Sequence, residues 1–73
     1  MNSMEGVVTI VQESRFQLTD DAGAGHLFVL AHRSLAEPDQ LEALQRRQTR
    51  VRVDYTEPRN IIGLLAHAVD IAA

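Results

Sequence analysis

The 73-residue chain has no cysteine, which excludes disulfides, thiolate metal sites and cysteine nucleophiles. Lysine is also absent: all seven cations are arginine, a side chain suited to planar, bidentate contacts. No apolar stretch approaches the ~20 residues needed to span a bilayer. The opening "MNSMEG" lacks the basic region and apolar run of a signal peptide. A cytoplasmic location without membrane association is therefore expected. There is no glycine-rich phosphate loop, and "DDAG" lacks the spaced carboxylates of a calcium loop. Ser3, Ser14 and Ser34 lie in no nucleophile motif. Internal repeats, linkers and low-complexity segments are missing too. These absences point to a non-catalytic protein with no cofactor and no metal.

What remains has the balance of a globular domain, with 45% hydrophobic and 23% charged residues, a mixture unlike that of disordered chains. At this length a single domain, residues 1–73, is expected. Such a domain buries only about 60% of its unfolded surface, so its stability margin is thin. The formal net charge of −3 disfavours general nucleic-acid binding. The charge is unevenly placed, however. Residues 1–45 set Arg15 and Arg33 against seven acids, whereas residues 46–59 set Arg46, Arg47, Arg50, Arg52 and Arg59 against Asp54 and Glu57.

"MEGVVTIVQ" (Met4–Gln12) is rich in β-branched residues and predicts a strand with a bend or bulge at Gly6. "RFQLT" (Arg15–Thr19) alternates, with Phe16 and Leu18 on its apolar side, and Glu13–Ser14 is short enough for a hairpin turn. "DDAGAG" (Asp20–Gly25) is a turn cluster, and "HLFVLAH" (His26–His32) reads as the third strand. In "SLAEPDQLEALQRRQ", Leu41 and Leu44 fall at helical spacing, with acids early and Arg46–Arg47 late, the order that complements a helix dipole. The helix is placed near 38–47, started either by a Ser34–Glu37 capping box or by Pro38 in the first helical position. "TRVRVDYT" (Thr49–Thr56) puts Val51, Val53 and Tyr55 on one side and Arg50, Arg52 and Asp54 on the other. "IIGLLAHAVDIA" closes the chain as a fifth strand bent at Gly63.

The fold class expected is therefore all-β with one short helix, in the order β-β-β-α-β-β. A three-stranded meander, a helix plugging the barrel and a final hairpin resemble the oligonucleotide/oligosaccharide-binding (OB) barrel. Over residues 6–35 the chain also resembles the cold-shock domain, a nucleic-acid-binding member of that class. Gly6 with Val8, the run "RFQLTDDAG" and the run "LFV" carry the resemblance. It implies single-stranded nucleic acid as the ligand class. It also implies that Phe28, by position, projects outward to stack on a base. The Gly-Phe-Gly-Phe pattern of that family is absent from the second strand, so Arg15 and Gln17 stand where stacking aromatics would be.

A register in which Thr19 faces His26 turns Leu27, Val29 and Ala31 inward. It leaves Arg15, Gln17, His26, Phe28, Leu30 and His32 on one outer face. A one-residue slip buries Phe28 and Leu30 instead. Either way apolar side chains land outside, and the fifth strand is apolar on both faces. Self-association as a homodimer, or a protein partner, is thus the alternative to nucleic acid. The candidate contact surface is Arg15, Gln17, Phe28, Arg50, Arg52 and Arg59, the last three able to meet phosphates or simply to pair with nearby acids. His26 and His32 lie six residues apart, ~20 Å along a strand, too far to share one metal ion.

Overall fold

The computed structural model describes residues 1–31, 38–59 and 63–72. Five strands and a helix follow in sequence: β1 (Asn2–Gln12), β2 (Arg15–Asp20), β3 (Gly25–Leu30), α1 (Pro38–Arg47), β4 (Arg50–Thr56) and β5 (Leu64–Ile71). The strands form a closed barrel in the order β1-β2-β3-β5-β4, as expected from the order of elements in the sequence. Neighbours are antiparallel except β3 and β5, which run parallel over Phe28–Leu30 and Leu64–Ala66. This topology is consistent with an OB-like barrel.

β1 serves two neighbours. Its first half pairs with β4 and its second half with β2, and Gly6 sits at the handover, opposite both Val51 and Asp20. A Cβ at Gly6 would collide with the Thr19 carbonyl oxygen, so only glycine lets the strands approach there. The bulge lies elsewhere than expected. Val8 faces Leu18 but Ile10 faces Gln17, which makes Thr9 the extra residue. That insertion reverses the strand's parity: Val8 is buried, Val11 packs against the core, and Ile10 is turned outward and 51% exposed.

The turn between β2 and β3 sets a register one residue from the favoured reading. Thr19 faces Gly25, Leu18 faces His26 and Phe16 faces Phe28. The physical reason is the length of the loop. Asp20 N–H donates to the Ala24 carbonyl (2.9 Å), Gly23 takes φ +88°, and the Asp20 carboxylate accepts the amides of Ala22 and Ala24 (3.0 and 2.9 Å). Three loop residues ending in a left-handed glycine make a known hairpin connection, and an aspartate that binds amides ahead of it favours that turn. Phe28 consequently points into the barrel, and Leu27, expected inside, is 45% exposed.

The core comprises Val8, Phe16, Leu18, Phe28, Leu41, Val51, Val53 and Ala66. Leu41 brings α1 into the barrel, with Leu44 one helical turn on packing against the same cluster. The helix has the extent expected from its apolar spacing and its late arginines, and Pro38 occupies its first position. The alternative Ser34–Glu37 capping box lies outside the described residues. At the other end, Gln48 takes φ +51°, with Gln48 N–H donating to Gln45 O (3.1 Å) and Thr49 N–H to Leu44 O (3.2 Å). This is a Schellman ending built without glycine.

Candidate functional site

The outer wall of the barrel has two distinct faces. Across the second half of β1, β2 and β3, facing residues form three rows: Gln12–Arg15–Val29, Ile10–Gln17–Leu27 and Val7–Thr19–Gly25. Directly opposed residues share a face, so these side chains form one continuous surface. These nine residues are uncharged apart from Arg15, and the Val7 row runs on to Arg50 of β4, where this face meets the charged one. The Thr9 and Thr19 hydroxyls lie 3.1 Å apart, and the Gln17 amide lies over Gly25. A groove of ≈ 390 Å³ runs along this surface, lined by Ile10, Gln12, Arg15, Phe16, Gln17 and Leu27. Among the described residues Arg15 has no ion-pair partner.

The other face, across the first half of β1, β4 and β5, is charged, and its two arginines stand beside carboxylates. Glu5, Arg52 and Asp70 form one row. Arg50 grips the Asp21 carboxylate with two N–H groups (2.6 and 3.2 Å) and donates to Glu5 (2.7 Å). The Asp21 carboxyl is held below its ordinary range by these Arg50 hydrogen bonds. Arg52 Nε lies 3.7 Å from Asp54 Oδ1.

The residues expected to form one contact surface are therefore divided. Arg15 and Gln17 share the neutral face. Arg50 and Arg52 stand on the charged face beside carboxylates, and Arg59 is exposed between β4 and β5. Phe28 is fully buried, stacked on Phe16 (centroids 5.1 Å, planes 10° apart) and edge-on to Tyr55 (5.4 Å, 80°). The expectation that it projects outward is corrected: the three-residue turn inverts the parity of β3. All three aromatic residues of the chain thus lie inside the barrel or pack against its core.

Ile10, Leu27 and Ile71 are exposed apolar residues that sequence reasoning missed, and Ile10 and Leu27 share the β1–β2–β3 face. Ile10 is turned out by the Thr9 bulge, and Leu27 by the regular register that the three-residue turn sets. The turn did carry a signal, since "DDAG" places a glycine at the third loop position after an aspartate.

Two histidines are described. His26 Nε2 donates to Asp20 Oδ2 (2.8 Å), and His67 Nε2 lies 2.8 Å from the Thr56 hydroxyl. The hydrogen bond from His26, with those from Ala24 and Ala22, holds the Asp20 carboxyl below its ordinary range. Among the described residues no three histidine or acidic side chains converge on one point, and no helix is long and apolar enough to cross a membrane. No protein-family model matches the chain, and neither a curated protein nor a solved structure matches it significantly.

Proposed function

We propose that the chain is a small non-catalytic binding module on an OB-like barrel, and that the neutral β1–β2–β3 face receives a protein partner. The carrying observation is that Phe16 and Phe28 are buried and Tyr55 packs against the core while Ile10 and Leu27 face solvent. Single-strand binders stack bases on exposed aromatic rings, a contribution of about 1–3 kcal/mol per base that this wall does not offer. Arg50 and Arg52, the best placed to contact phosphates, stand among Glu5, Asp21, Asp54 and Asp70. A polyanion crossing that face would meet a net negative field in a chain of formal charge −3. Single-stranded nucleic acid, the ligand class implied by the cold-shock resemblance, is the weaker reading for these reasons.

The test is fluorescence anisotropy of a labelled single-stranded oligothymidylate titrated with the protein at low salt. No binding is expected. Binding that weakens as salt rises and falls on substitution of Arg15 or Arg59 by alanine overturns the protein-partner reading and restores the nucleic-acid one.

A further inference from the structure

We infer that the groove between Ile10 and Leu27 takes an extended peptide segment presenting an apolar side chain two residues from a carboxylate. The inference rests on the protein-partner reading above and adds the chemistry of the partner. Ile10 and Leu27 (51% and 45% exposed) stand on either side of Gln17 in one row, and Phe16, whose side chain is buried in the core, also borders the groove. An apolar side chain seated there would remove both walls from water, which the barrel by itself does not do. Gln12 and Gln17 line the same groove, and a glutamine amide offers both donors and an acceptor to a peptide backbone.

Charge complementarity specifies the second feature. Arg15 is the sole charged side chain in the lining and has no ion-pair partner among the described residues, in contrast to Arg50 and Arg52. Glu13, in the turn beyond, is exposed and outside the lining. Arg15 lies two residues along β2 from Gln17, which faces both Ile10 and Leu27. Two residues of strand advance about 6.6 Å, the repeat at which side chains of an extended partner return to the same face. The partner motif is therefore apolar-x-Asp/Glu, or its reverse. One carboxylate meets Arg15 without laying further charge over Glu5, Asp54 and Asp70, as a nucleic-acid strand would.

The experiment pans a random phage-displayed peptide library on the intact chain and on Arg15→Glu and Leu27→Ser variants, each first shown to be folded by circular dichroism. The wild-type chain is expected to enrich an apolar residue two positions from Asp or Glu. Arg15→Glu exchanges the acid for Lys or Arg, and Leu27→Ser abolishes enrichment. A synthetic peptide of the enriched sequence should bind Arg15→Glu about fivefold more weakly or worse. It should also shift the amide NMR signals of residues 10–17 and 27. Enriched peptides that require Leu27 but ignore the charge at position 15 overturn the carboxylate inference and leave the protein-partner reading standing. Absence of enrichment overturns the inference outright. Sedimentation then separates the two failures: dimerisation through Leu27 keeps the protein-partner reading with a second copy on this face, and for a monomeric chain that reading stands or falls on the oligonucleotide titration above.

Discussion

Replacing the adjacent residues Phe28 and Leu27 one at a time distinguishes the two registers of β3 energetically. Phe28 has no solvent exposure and contacts two rings. Phe→Ala in a core that cannot fully collapse costs about 3–5 kcal/mol. Ring contacts each contribute about 0.5–1.5 kcal/mol beyond area burial, which places this site in the upper part of that range. At 0.05–0.15 kcal/mol per residue, a 73-residue domain has about 4–11 kcal/mol in total. Phe28→Ala is thus expected to be marginal or unfolded. Phe28→Leu, which keeps most of the apolar volume, should stay folded and lose about 1–2 kcal/mol. Leu27→Ala, on the exposed face, should cost about 1 kcal/mol or less. Urea unfolding followed by far-UV circular dichroism measures all three, and an unchanged slope with denaturant confirms that only stability moved. Because the chain has no tryptophan and a single tyrosine, Tyr55 fluorescence reports locally on the ring it meets edge-on. A Phe28→Ala protein that loses under about 1 kcal/mol, with Leu27→Ala the more damaging change, would refute the register and the buried aromatic stack together.

Gly6→Ala should lower stability by at least about 2 kcal/mol in the same assay, because the added methyl meets the fixed Thr19 carbonyl rather than a side chain that can move. Gln48→Gly should raise stability by about 0.5–1 kcal/mol, visible as a melting point about 3–6 °C higher, since glycine takes the left-handed helix ending without a Cβ clash. The folded-state depression of the Asp20 and Asp21 carboxyls stabilises the fold above the ordinary aspartate value of 3.8 and is lost as pH falls below it. Asp20→Asn should therefore narrow the gap between urea midpoints measured at about pH 7 and about pH 3, and an unchanged gap would exclude Asp20 as a contributor.

The architecture was legible in the sequence wherever a repeating pattern carried it. Val51, Val53 and Tyr55 alternate with Arg50, Arg52 and Asp54, and the barrel buries the first set or packs it against the core while leaving the charged set on its outer wall. Leu41 and Leu44 at helical spacing, with Arg46 and Arg47 after them, were enough to place α1. Single-residue events were not legible in the same way, because a strand pattern has a period of two and one extra residue inverts everything beyond it. The Thr9 bulge and the three-residue turn after Asp20 are two such events, and they flank the same face. Each changes what solvent meets. One brings Ile10 out and takes Val11 in; the other brings Leu27 out and takes Phe28 in. Inverting either alone would leave only one wall of the groove, so the apolar surface beside Arg15 depends on both the bulge and the turn. Their coincidence on one face is the physical reason to look there for a partner rather than at the arginines of β4.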